Sequence, residues 1–198
     1  MPEETQRLAE GNEKKQSKAI FQGQKEMIMQ IRCEEYNPDL HEKIKSLCVR
    51  QPYADLLTIA TWRDESGFWH AEKTIEVRSR KTNFRGDVLI CASRQPEIAG
   101  CLSGCAVGFV EIYDVKPIAE FTEDDWKATC IPESDRPKFG KGFGWLVRNP
   151  RRVVEMPVVG KLGFFDIIVP KGDLTEYPRN MALGAEGWEI VKRKLQEK

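Results

Sequence analysis

Lys73-Thr74-Ile75-Glu76-Val77-Arg78-Ser79-Arg80 is the stretch from which the fold unfolds. Ile75 and Val77 point one way and Thr74, Glu76, Arg78 and Arg80 the other, the alternation of a half-buried β-strand. Just downstream, Gly86–Ala92 is nearly all apolar, as expected of a central strand covered on both faces. Ala106–Val115 reads as a longer strand in which Gly108 marks a bulge or tight bend. Thr122 starts a short helix with acids in its first turn, where the helix dipole favours them. Gly144–Val147, Val153–Val154 and Phe164–Val169 read as further strands, divided by Asn149-Pro150 and Gly160-Lys161 turn signals. Upstream, Ile44–Val49 is a short strand ending at Arg50-Gln51-Pro52, and Pro52 is placed to open a helix. Tyr53, Ala54, Leu56, Leu57 and Ala60 follow at helical spacing, which predicts one long early helix, and a polar loop then runs from Trp62 to about His70. The sum is an α+β chain: a small, mixed, partly open β-barrel in preference to a parallel βαβ sheet.

The chain of 198 residues has room for one domain with tails. We divide it into a polar extension, 1–43, disordered or a marginal helix; the barrel, 44–170; and a linker with a docking helix at about Ala185–Gln196, within 171–198. Thirty-one basic residues balance thirty-one acidic ones, so no global charge argues for a polyanionic partner. The local distribution differs. Between Arg136 and Lys161 stand seven basic residues against Glu155 alone, and between Glu120 and Asp135 six acids against Lys127 alone. Such blocks make either opposed patches able to steer an anion or simply solvated loops. The six cysteines have no zinc-knuckle spacing, and only His41 and His70 could supplement them, so neither a metal nor another cofactor is expected. The apolar runs are too short to span a membrane, and the first thirty residues contain no signal-like run, which predicts a cytoplasmic protein with reduced thiols.

Taken in order, the helix begun by Gln51-Pro52-Tyr53-Ala54, the stretch Lys73–Arg78, and Phe84-Arg85-Gly86-Asp87-Val88-Leu89-Ile90-Cys91-Ala92-Ser93 resemble the ASCH family. Ala106-Val107-Gly108-Phe109-Val110, Gly144-Trp145-Leu146-Val147 and Val158-Val159-Gly160-Lys161-Leu162-Gly163 fit later parts of the same pattern. The resemblance covers roughly residues 46–169. It implies a PUA-like β-barrel and a cleft lined by the signature G-x-K-x-x-E-x-R, present here as Lys73, Glu76 and Arg78 with Ala71 in the glycine's place.

Lys73, Glu76 and Arg78 offer a point charge, an acceptor and a planar donor fork, a set suited to a phosphate and a base edge. The plainer alternative is an exposed ion pair without function. In Arg136–Trp145, basic and aromatic residues interleave, as where bases stack on rings while cations hold the backbone. A glycine-rich turn feeding a core Trp145 is the competing account. We therefore expect an RNA or other single-stranded partner held by Lys73, Glu76, Arg78, Arg80, Arg85, Lys138, Lys141, Phe143 and Arg148. The alternative implied by the resemblance is hydrolysis of an N4-acylated cytidine-type nucleoside, with Lys73, Glu76 and Glu111 as catalytic residues and Glu76 standing where that branch has threonine. A third possibility is a protein-interaction domain. Nothing in the residues fixes the oligomeric state.

Overall fold

The computed structural model describes residues 36–177. The expected helix at 185–196 and most of the 1–43 extension lie outside the described residues. Among the described residues are eight strands and two short α-helices: β1 (His41–Val49), α1 (Tyr53–Thr58), β2 (Ala60–Arg63), β3 (Trp69–Ala71), β4 (Ile75–Arg78), β5 (Gly86–Ala92), β6 (Cys105–Pro117), α2 (Glu123–Ala128), β7 (Phe143–Pro157) and β8 (Phe164–Pro170). Six strands form one sheet in the order β4-β7-β6-β5-β1-β8, while β2 and β3 make a separate hairpin. Within the main sheet β1 and β5 run parallel and the other pairs antiparallel. The parallel pair is possible because the intervening chain, through α1 and β2–β4, is long enough to cross over.

β5 is buried on both faces, which explains its unbroken apolar run. Val88, Ile90 and Ala92 join Leu47, Val49, Val107, Val110, Ile112, Trp145 and Val147 on one side. Leu89 and Cys91 meet Ala106, Val153, Val158 and Phe165 on the other. Each large aliphatic buried in this way contributes roughly 1.5–3 kcal/mol. The first cluster lies inside a curl of the sheet. Trp145 of β7 stacks on Phe164 of β8 with centroids 5.0 Å apart, and Phe84 meets the same ring edge-on at 5.4 Å. β4 and β8 thus approach one another but remain at opposite ends of the strand order, and the sheet is not closed.

Three sequence expectations need correction. The long early helix is a six-residue turn, because Ile59 is already extended and Ala60–Arg63 pairs with Trp69–Ala71. Thr58, Ile59, Thr61 and Trp62 are β-branched or aromatic, so strand pairing overrides the helical spacing. For the same reason the loop expected from Trp62 to about His70 narrows to residues 64–68, the turn of that hairpin. Finally, Asn149-Pro150 does not end a strand: β7 continues for 15 residues, with Asn149 at φ 53° absorbing a bend against the 13-residue β6. The bulge expected at Gly108 is present, as a register shift between Ala106 and Gly108. A Cβ there would strike the Arg151 carbonyl and the Thr58 side chain, so glycine lets β6, β7 and α1 close up.

A buried ionic network locks that contact. Arg152 Nη1 bonds Asp55 Oδ1 and Thr58 Oγ1, and Gln51 Nε2 donates to Asp55 Oδ2 and to the Leu102 carbonyl, both at 2.9 Å. α2 is fixed differently, by a capping box in which Thr122 and Asp125 exchange hydrogen bonds.

Candidate functional site

Lys73, just before β4, is 1% exposed. Its backbone N–H donates to the Leu56 carbonyl and that of Thr74 to Ala128, sewing this segment between α1 and α2. The Lys73 ammonium donates to the carbonyls of Ile75 at 2.6 Å and Thr129 at 2.7 Å, and lies 3.3 Å from Glu76 Oε2. The Tyr53 ring covers it at 5.3 Å. An ammonium that donates to two buried carbonyls and pairs with a carboxylate is a tether, and it has no lone pair to offer a substrate. Burial pushes the Tyr53 phenol up, with smaller contributions from Asp135, Cys130 and Glu76, so it stays a neutral hydroxyl.

Glu76 sits opposite Trp145 in the β4–β7 register and shares its inward face. Its second oxygen, Oε1, pairs with Arg78 Nη2 at 3.0 Å, and the same Nη2 donates to the Cys48 carbonyl at 2.7 Å. The guanidinium lies 6.0 Å from the Trp145 ring, and Arg78 Nε is buried without a partner. Lys73, Glu76, Arg78 and Cys48 therefore form a continuous polar line from the interior to the C-terminal end of β1. There a cavity of about 430 Å³ opens between the loops 93–104 and 158–163, with Cys48 and Ala92 at its base. Gly160 presses on Cys48 so closely that a Cβ would overlap the sulfur. Burial raises the Cys48 thiol, against weaker opposing pulls from the Lys161 N–H and Arg78.

The other anticipated residues are dispersed. Glu111 lies between Val110 and Ile112, which face the first core, so its carboxylate is on the opposite side of the sheet from Glu76. It accepts from Arg148 Nε and Nη2, at 3.0 and 2.8 Å, and from Asn149. These bonds, Arg148 first, hold the Glu111 carboxyl below the usual carboxylate range. Arg148 is also packed against Phe68 at 3.8 Å and Tyr113 at 4.9 Å. The structure does not bring Glu111 to Lys73.

The basic block is largely neutralised, in part by the acidic block and in part by carboxylates elsewhere in the fold. Arg136 pairs with Glu123, Lys138 with Asp135, Arg151 with Asp87 and Glu176, and Arg152 with Asp55. Phe143 packs on the core and Trp145 is 5% exposed, so these two aromatics of the Arg136–Trp145 run turn inward. Arg85 pairs with Asp114. Among the described residues the exposed cations without an ion pair include Arg50, Arg80, Lys81, Arg94, Lys141 and Lys161. Several of them stand near Arg78: Arg50 follows the end of β1, the Arg80 carbonyl accepts from the Trp145 indole at 3.0 Å, and Gly142, next to Lys141, packs on the Arg78 carbonyl.

Tyr53, Cys48 and Arg94 escaped the sequence reading. Tyr53 stood in the quoted Gln51–Ala54 run, where the helical spacing counted it only as core. Among the described residues no group of three or more His, Cys, Asp or Glu could hold a metal, and no helix is long and apolar enough to cross a membrane.

No curated protein matches this chain. Among solved structures, a crystal structure of ASCH from Zymomonas mobilis is similar, at 13% identity and a TM-score of 0.45, the match covering 75% of this chain and 93% of that one. The family model of the ASCH domain matches residues 67–159, a span that holds Lys73, Glu76, Arg78, Arg94 and the start of the loop walling the cavity, and on that match the chain carries an ASCH domain.

Proposed function

We propose that this ASCH domain binds single-stranded nucleic acid, RNA in particular, at the end of the sheet where Arg78 reaches Cys48. One observation carries the proposal. Arg78 is held by Glu76 and by the carbonyl of Cys48, a residue that lines the cavity, yet keeps Nε unpartnered, and cations that no carboxylate neutralises stand nearby. A buried polar atom without a partner calls for one, and a guanidinium donates readily to phosphate or base-edge oxygens. Exposed cations without ion pairs, Arg50, Arg80, Lys81 and Lys141 among them, supply the salt-sensitive part of such binding.

Hydrolysis of an acylated nucleoside draws less support. It would need Lys73 free to take a proton and Glu111 beside it, whereas Lys73 is fully engaged and Glu111 lies across the sheet. Docking of a protein through the acidic block is also weakened, because Glu123, Asp124, Asp125 and Asp135 are already paired.

The experiment is a titration with labelled single-stranded RNA, single-stranded DNA and duplex at two salt concentrations. Wild type should bind a single-stranded class and weaken with salt. Arg80→Ala and Lys81→Ala should each reduce the log–log salt slope by about 0.7, the share of one single-strand phosphate contact. Binding of wild type and Arg78→Ala with equal affinity would refute the proposed location.

A further inference from the structure

The cavity beside Cys48 has a chemical character of its own. Arg94 and Lys161 stand on its two facing loops, both exposed and, among the described residues, without an ion pair. Arg94 is not free to wander: its Cγ and Nε lie against the Gly104 backbone, so close that a Cβ on Gly104 would come within 2.9 Å of either. Lys161 is held by its own backbone, whose N–H bonds the Cys48 sulfur. Between and beside these cations are aliphatic groups with nothing to cover them. Val159 is 59% and Leu162 102% exposed, although Val158 next to them is core. The space of about 430 Å³ falls in the roughly 300–1,000 Å³ range of small-molecule sites.

Two cations on facing loops, with uncovered aliphatic side chains beside one of them, fit neither a bare anion nor a purely apolar ligand. They fit a molecule with a phosphate at one end and a flat, weakly polar ring at the other. We propose that this cavity takes one phosphorylated nucleotide unit, its phosphate held by Arg94 and Lys161 and its base laid against Val159 and Leu162. The inference rests on the nucleic-acid reading and deepens it: one nucleotide is enclosed, and the rest of a strand follows the open cations toward Arg78. The same chemistry is presented by a free nucleoside monophosphate and by the phosphorylated end of an oligonucleotide.

Calorimetry on the full chain separates these. The probes are the four ribonucleoside 5′-monophosphates, the matching nucleosides, inorganic phosphate, and trinucleotides with a 5′-phosphate, a 3′-phosphate or neither. At least one monophosphate should bind about tenfold or more tighter than its nucleoside, as loss of a charge-assisted contact implies. Arg94→Ala and Lys161→Ala should each remove most of that difference. Leu162→Ala should weaken the monophosphate and leave inorganic phosphate unchanged. All three positions are exposed, so folding is not at stake. Preference for one phosphorylated trinucleotide over the free monophosphate would assign the cavity to a strand end, and the reverse to a free nucleotide. Monophosphates binding no better than nucleosides, or binding unaffected by both cation variants, would overturn the inference. If oligonucleotides still bound through Arg78 in that case, only the cavity assignment would fall; if they too failed to bind, the proposed function would fall with it.

Discussion

Lys73→Met separates a structural ammonium from a catalytic one. The substitution keeps the buried aliphatic stem but removes two donated hydrogen bonds and the ion pair to Glu76. The carbonyls of Ile75 and Thr129 lose their side-chain partner, while Glu76 retains Arg78. A buried acceptor left without its partner costs about 1–3 kcal/mol, and breaking a buried charged pair about 3–5 kcal/mol, so a total near 4 kcal/mol is reasonable because the two overlap. With a urea m-value of about 2 kcal/mol/M, the unfolding midpoint should fall by about 2 M, a large part of the ordinary stability of about 5–15 kcal/mol. Urea melts followed by tryptophan fluorescence would read this directly, since the Trp145 ring lies on the same inward face. A Lys73→Met midpoint within about 0.5 M of wild type would refute the tether and restore Lys73 as a residue free to do chemistry.

Further outcomes follow from the same geometry. Arg152→Ala leaves Asp55 and Gln51 facing each other in a dry interior and should cost about 3–5 kcal/mol in the same melts, more than Arg148→Ala on the half-exposed outer face. Gly108→Ala should cost about 1–3 kcal/mol by overpacking α1 against β7. Gly160→Ala must push the 158–163 loop off Cys48 and should weaken nucleotide binding while barely changing the melt. Glu111 titrates below its ordinary value of about 4.3, so the stability it contributes is present above that pH and is lost as pH falls through the depressed folded value. Stability measured from pH 7 downward should therefore fall more steeply for wild type than for Glu111→Gln over that acid limb.

Local alternation was enough to find β4 and β5, because strand period and two-sided burial leave their mark on consecutive residues. Lengths and breaks were harder. Tyr53 to Ala60 keeps helical spacing, but the hairpin partner that pulls Ala60–Arg63 into a strand is supplied by Trp69–Ala71, and that competition is tertiary. Asn149-Pro150 has turn chemistry, yet an uninterrupted β6 beside it holds β7 in one piece. The basic segment misled most. Its residues are counted along the chain, whereas Arg152 finds Asp55 97 residues away and Arg151 finds Asp87 64 away, so most of the excess charge is neutralised in folding. The signature positions were visible as a group, and the structure joins Lys73, Glu76 and Arg78 in one line of contacts. What the spacing could not say is that Lys73 faces inward, or that the line ends at Cys48 and a cavity built from two loops far apart in sequence.

The central claim is that a single strand sits at the Arg78–Cys48 end of the sheet. The most direct test is photocrosslinking of a 4-thiouridine-containing single-stranded RNA to the full chain, with the adducts mapped by mass spectrometry. The account predicts adducts within 48–53, 78–81, 93–104 and 158–162, lost on competition with unlabelled strand and reduced in Arg78→Ala. Adducts confined to the Arg136–Trp145 run or to the Trp62–His70 hairpin, or none under conditions where binding is saturated, would contradict it.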